Sequence, residues 1–256
     1  MLEAGTGDDN VVLLHGVAAR ADRWRENLGP LSEAGLHLYA LDLPGHGFSS
    51  NDPALDYSVP VFAEVVAQFI VDRLGGRPTL VVGTSLGGHV TARLALAHPE
   101  LVSAAVLVAP TGMRPLGEER RAAIARGILD ASLEGTRAKL KWLVHDPALA
   151  TEAWALEESR INGSRGTHGA IERLAAYFRD RIDDDVLSPA ELQRLEQTAP
   201  LLFVWGDDDT MVPPTEAEVL HEHMADVRLV VVPDAGHAPY FEVPAVFNAA
   251  VLDFVR

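Results

Sequence analysis

Residues 81–90 read VVGTSLGGHV. An apolar run over 80–82 ends in Gly83-Thr84-Ser85-Leu86-Gly87-Gly88, and a helical pattern follows. Glycines two positions before and two positions after a lone serine let backbone approach backbone with no Cβ in the way. They also let the chain turn sharply enough to push that serine out of a sheet. Packing alone requires neither. The stretch predicts a strand, an elbow and a helix, with Ser85 displayed at the corner. It also sets the test for the rest of the chain, which must supply neighbouring parallel strands with a base and an acid at their ends.

The surrounding pattern has that form. Short, nearly all-apolar runs at 11–15, 37–41, 79–83, 104–109, 201–205 and 228–232 suit parallel strands covered on both faces. Helical stretches occupy 24–34, 59–74, 86–97, 214–224 and 243–255. The second sets Phe62, Val65, Val66, Phe69 and Ile70 at helical spacing, and the third stops at His98-Pro99, where proline disfavours helix. Alternating strand and helix predicts an α/β fold, a doubly wound and essentially parallel sheet with right-handed crossovers. One interval breaks the rhythm. Across 111–198 there are only helical patches, at 118–133, 136–144, 148–160 and 168–182, separated by stretches such as INGSRGTHG at 161–169. The expected organisation is a core made of 1–110 and 199–256, with a helical insertion over 111–198.

Composition narrows the function classes. The 256 residues are 48% apolar, enough for one substantial core. The net charge of −16 argues against nucleic-acid backbones and anionic membranes as partners, and serves solubility. Cysteine is absent, so there is no disulfide, thiolate nucleophile or cysteine metal site. The start, MLEAGTGDDN, is acidic and lacks the apolar region of a signal peptide, and no apolar run approaches the roughly 18 residues of a membrane span; a cytoplasmic protein is expected. No cofactor or metal is expected either. The histidines of HEH at 221–223 sit at i and i+2, which do not share a helix face. No lysine follows the elbow glycines as a phosphate loop requires. The expected partner is a small-molecule substrate.

Sheets of this kind deliver functional residues at the carboxyl ends of their strands. There the chain carries His15-Gly16-Val17, then DLPGHGFSS at 42–50, then Ser85, then WGDDDTMVPP at 205–214, then PDAGHAPYFE at 233–242. A serine, an acid among Asp207, Asp208 and Asp209, and His237 follow one another in that order. A serine hydroxyl is a weak nucleophile until an imidazole takes its proton, and a carboxylate must fix the imidazole tautomer and stabilise the imidazolium. The tetrahedral oxyanion needs preorganised N–H donors, for which Leu86 and Val17 are the candidates.

The chain resembles the α/β-hydrolase superfamily on LLHG at 13–16, LDLPGHGFS at 41–49, GTSLGG at 83–88, WGDDDTMVP at 205–213 and GHAPYFEVP at 236–244. The resemblance implies Ser85 as nucleophile, His237 as base and, from the acid three residues after Gly206, Asp209 as its partner. It also implies that the insertion is a cap over the active site. Only ten residues precede Val11, so the family's first antiparallel hairpin is expected to be mostly absent, leaving about six strands, all parallel.

The cap stretch WLVHDPALATEAWALEESRING at 142–163 is most similar to that of the hydrolases that cleave carbon–carbon bonds in ring-fission products, which carry an arginine where Arg160 stands. Those enzymes have Asn before the serine and Trp after the histidine, where this chain has Thr84 and Ala238. Substrate contacts are expected from Thr84, Arg160, Trp142, Trp154 and Ala238, with Leu140 and Leu143 as further lining. The expected function is a serine hydrolase of a carboxylic ester or related acyl compound. The alternatives are carbon–carbon hydrolysis, a non-hydrolytic chemistry on this scaffold (lyase, cyclase or cofactor-free oxygenase) and a ligand receptor.

Overall fold

The computed structural model describes residues 1–226 and 228–256. The strands are β1 (Leu2–Ala4), β2 (Asp9–Leu14), β3 (Leu36–Leu41), β4 (Thr79–Thr84), β5 (Val102–Val108), β6 (Leu201–Gly206) and β7 (Arg228–Val232). They form one sheet in the order β1-β3-β2-β4-β5-β6-β7. Every pairing but one is parallel, and β4 lies at the centre with Gly83 beside Leu14 of β2 and Leu107 of β5. Val11 to Leu14, Val81, Val82 and Val106 to Val108 are fully buried, as all-apolar strands between two layers of helices must be.

The exception corrects the expectation of six parallel strands. β1 pairs antiparallel with β3, Leu2 opposite Ala40 and Ala4 opposite Leu38. Three residues on an exposed edge are too few to show an alternating pattern, so this short antiparallel strand leaves no periodicity in the sequence.

The core helices are α1 (Arg25–Glu33), α2 (Val59–Leu74) and α3 (Leu86–Ala97). α2 ends on Gly75, left-handed at φ +67°, and α3 starts at Ser85 and stops before Pro99. Between β5 and β6 come α4 (Glu118–Leu129), α5 (Leu133–Leu143), α6 (Glu152–Asn162), α7 (His168–Asp180) and α8 (Pro189–Thr198). α4 packs on α7 and α5 on α6. α8, capped by the reciprocal Ser188–Glu191 pair, packs instead on α3 beside the sheet. The chain closes with α9 (Glu218–His223), α10 (Pro239–Glu242) and α11 (Pro244–Val255). The stretches read as continuous helices at 214–224 and 243–255 thus differ in their limits. The first opens with a 3-10 turn over Pro214–Ala217, and α10 precedes the second. No helix among the described residues is long and apolar enough to cross a membrane.

Candidate active site

At the end of β4, Ser85 adopts φ +53° and ψ −115°, a conformation that side chains with a Cβ rarely accept and that costs about 1–3 kcal/mol. The surrounding backbone holds it there. Ser85 N–H donates to Val108 C=O (2.9 Å), and its own C=O accepts from His89 N–H (3.1 Å) and Thr111 N–H (3.2 Å). A Cβ on Gly83 would fall 2.1 Å from Gly87 O, and one on Gly87 would fall 2.5 Å from Leu14 O. The spacing of glycines around the serine is therefore a steric requirement of the turn.

Asp209 follows β6. Its Oδ1 accepts from the N–H groups of Met211 and Val212, both at 2.9 Å, and its Oδ2 lies 2.7 Å from Nδ1 of His237. The two residues are 2% and 4% exposed. A carboxylate pinned on one oxygen and paired to the ring on the other favours the tautomer with the proton on Nδ1 and leaves Nε2 for a second partner. Asp207 and Asp208 face elsewhere. Asp207 accepts from Ala235 N–H at 3.4 Å, and Asp208 pairs at the surface with His145 (2.9 Å). Ser85 and His237 line the same cavity; among the described residues Ser85 Oγ makes no hydrogen bond, so the serine–imidazole contact is open in this geometry. Such contacts commonly tighten only around substrate.

That cavity has a volume of about 350 Å³. Gly16, Val17, Thr84, Ser85 and His237 come from the strand ends, and Ile124, Ile128, Leu140, Trp142 and Leu143 from α4 and α5. A Cβ on Gly16 would lie 3.3 Å from Ser85 Cβ, so the His15-Gly16-Val17 turn passes directly beside the serine. Leu86, buried, opens α3, and a helix's first N–H groups have no intrahelical acceptor.

One part of the wall is charged. Arg23, 2% exposed, pairs with Glu158, 1% exposed, and Lys139 Nζ lies 3.1 Å from Glu158 Oε1. The Arg23 guanidinium covers the Trp154 ring at 4.0 Å, and among the described residues its Nε and Nη1 have no hydrogen-bond partner. Burial alone would raise the Glu158 carboxyl; Arg23, Lys139 and Arg20 together hold it below its ordinary value. Arg20 is matched by Asp22 at 2.8 Å, so Arg23 and Lys139 against the one buried carboxylate leave one excess positive charge. Asp130 also borders the cavity, but it is exposed and its charge is screened.

The contacts expected from sequence divide. Thr84, Val17, Trp142, Leu140 and Leu143 line the cavity; Arg160, Trp154 and Ala238 do not. The buried face of α6 carries Trp154, Ala155, Glu158 and Asn162, so Arg160, two residues beyond Glu158, turns to solvent. Trp154 sits one layer back, behind Arg23 and against Phe241. Ala238 is buried in the core behind the histidine. Arg23, Lys139, Glu158 and Tyr240 were missed. A glutamate on the apolar stripe of a helix, four residues after Trp154, is the one mark that the sequence carried. Among the described residues the other buried histidines bind backbone: His15 Nε2 accepts from Leu43 N–H (3.0 Å), His46 Nδ1 meets Pro44 O (3.0 Å) and His89 Nε2 meets Asp185 O (2.9 Å).

A family model described as the alpha/beta hydrolase fold matches residues 9–244. A 2-hydroxy-6-oxononadienedioate/2-hydroxy-6-oxononatrienedioate hydrolase of Burkholderia vietnamiensis is 29% identical, over 99% of this chain and 89% of that protein. A pimeloyl-[acyl-carrier protein] methyl ester esterase of Nitrosomonas europaea is 34% identical, over 95% of this chain and 94% of that protein. Among solved structures, a meta-cleavage product hydrolase superposes with a TM-score of 0.88 at 26% identity, covering 99% of this chain and 93% of the other.

Proposed function

The chain belongs to the α/β-hydrolase fold family, and from that premise we propose that it is a serine hydrolase of a carboxylic ester or a related small acyl substrate. The observation that carries this reading is the buried 2.7 Å contact of Asp209 with His237 beside a strained elbow serine, both facing one cavity. Ser85 Oγ attacks the ester carbonyl carbon while His237 takes its proton. The oxyanion accepts hydrogen bonds from the N–H groups of Leu86 and Val17. The C–O bond then breaks, and His237 returns the proton to the leaving alcohol. Water, deprotonated by the same imidazole, attacks the acyl-enzyme and releases the acid and Ser85. The insertion acts as a cap. A mostly apolar roof excludes water, which strengthens each hydrogen bond to the oxyanion and selects substrates by shape.

One observation favours a second reading, hydrolysis of a carbon–carbon bond beside a ketone. The excess positive charge of Arg23 and Lys139 against Glu158 suits an acidic substrate, and the Burkholderia relative is named for dienedioates. The test is a panel of aryl esters, lactones and dienone acids with wild type and Ser85→Ala. The ester reading expects higher kcat/KM on esters than on dienone acids, with all turnover lost in S85A. The reverse preference selects the second reading, and full activity in S85A overturns both.

A further inference from the structure

Three backbone N–H groups converge on the carboxylate of Glu242, the last residue of α10. Gly236 N–H lies 3.0 Å from Oε1 and 3.1 Å from Oε2, and Ala238 N–H lies 3.0 Å from Oε1. These two residues flank His237. The third donor is His145 N–H, 2.6 Å from Oε2, which belongs to the segment leaving α5. The N–H of His237 itself donates to Leu143 C=O at 2.9 Å. The histidine loop and the cap segment 143–145 are thus joined directly by one hydrogen bond and indirectly by one shared carboxylate. Space confirms the closeness: a Cβ on Gly236 would fall 2.8 Å from His145 N and 3.0 Å from Leu143 O. On the far side of the same segment, His145 Nδ1 pairs with Asp208, the neighbour of Asp209.

We infer that Glu242 is a positioning residue that clamps the cap segment 143–145 onto the loop carrying His237, so that the cap and the base are placed together. The inference rests on the reading of His237 as the base. Its physical ground is that hydrogen bonds to an ionised acceptor are short and strong, and that one carboxylate can take several donors in a fixed arrangement. The imidazole is fixed on one side by Asp209; its backbone is fixed by Leu143 and, through both neighbours, by Glu242. A cap displaced from the core pulls on His237 N–H and on the carboxylate that holds residues 236 and 238. A roof that has not seated therefore leaves the base out of place.

The experiment compares wild type with Glu242→Ala, Glu242→Gln and Gly236→Ala, with Ser85→Ala as the control. Steady-state hydrolysis of p-nitrophenyl butyrate is measured beside amide hydrogen exchange of peptides covering 143–145, 236–238 and 81–90. E242A should lower kcat by about ten- to a hundredfold, the scale of an ångström-level misplacement, with KM little changed. Exchange should quicken at 143–145 and 236–238 and stay as it was at 81–90. E242Q should fall between wild type and E242A, because an amide offers one acceptor oxygen. G236A leaves the carboxylate in place and wedges the cap off the loop, so it should also lower kcat and quicken exchange at 143–145. Folded E242A with wild-type kcat, or with kcat lost and exchange at both segments unchanged, overturns the inference. If E242A does not fold, E242Q and G236A are judged by the same two readings. If S85A hydrolyses the ester as fast as wild type, it is the serine-hydrolase reading that has failed, and the clamp stands or falls on exchange alone.

Discussion

The elbow and the charged wall border the same cavity, yet they are built in opposite ways. At the elbow, a few consecutive residues determine the geometry. Gly83 and Gly87 admit close backbone contacts, Ser85 takes the strained φ, and the hydrogen bonds to Val108, His89 and Thr111 hold it. The wall is assembled from side chains far apart in sequence: Arg23 meets Glu158 across 135 residues. A rigid local turn can carry the reacting atom while distant side chains decide what reaches it. The contrast predicts that changes at the elbow and its partners abolish turnover outright, whereas changes at the wall redirect it.

The largest expected effect is at the elbow. Ser85→Ala should lower kcat by about five to six orders of magnitude, and His237→Ala by a similar factor, with the double variant no worse than either because the two act as a unit. An organophosphonate should label wild type at Ser85 and leave S85A unlabelled by mass spectrometry. Additive losses, or an adduct elsewhere accompanied by loss of activity, break the claim that this turn is the reacting centre.

Next is the acid. Asp209→Asn should cost about three to four orders of magnitude in kcat, because an amide cannot hold the imidazole tautomer that Oδ2 now holds. Asp208→Asn should cost far less, since that carboxylate is at the surface with His145. If D208N proved the more damaging, the acid would have been counted to the wrong place in the turn.

The same division explains what the sequence made legible. Six strands, the elbow and the order of serine, acid and histidine follow from local rules of periodicity, glycine placement and strand ends. β1 escaped because three edge residues have no period. Arg160 was the natural arginine to select on α6, but a helix turns 100° per residue, and Trp154 and Glu158 together define the inward face. Once that face is fixed, Arg160 must point out. Arg23 had no comparable mark. It stands beside Trp24 in a single 3-10 turn, Ala21–Trp24, and only tertiary packing against Glu158 and Trp154 of α6 makes it part of a wall.

Acid titration tests the scaffold around the elbow. Burial lowers His46 and His89 from the ordinary histidine value to about 4 each. In the unfolded chain each histidine binds its proton near about pH 6.5. Between those limits the unfolded state binds more protons. The stability these rings contribute is therefore complete above about pH 6.5 and lost as pH falls toward about 4. Each ring contributes at most on the order of 3 kcal/mol. Urea unfolding at pH 7 and pH 4.5 should show the loss, and His46→Asn or His89→Asn should flatten it. If both variants keep the full wild-type loss between the two pH values, these rings are protonated in place and the scaffold behind the elbow is less dry than its burial implies.

The smallest effects, and the sharpest test of the wall, come from two cations on the cap. Lys139 borders the cavity and supplies the positive charge left over when Arg23 is matched by Glu158; Arg160 is exposed and borders nothing there. Two aryl esters of similar size, p-nitrophenyl butyrate and p-nitrophenyl hemisuccinate, differ in whether the acyl chain ends in a carboxylate. Lys139→Met should lower kcat/KM on the acidic ester relative to the neutral one by about tenfold, the lower end of a charge-assisted contact, because the lysine is partly solvated. Arg160→Ala should change either ester by no more than about twofold, as surface substitutions usually do. Equal losses on both esters in K139M would make the lysine a support for Glu158 rather than a reader of charge. A selective loss in R160A as large as that in K139M would break the comparison itself, since it would require α6 to turn its outer face inward around the substrate.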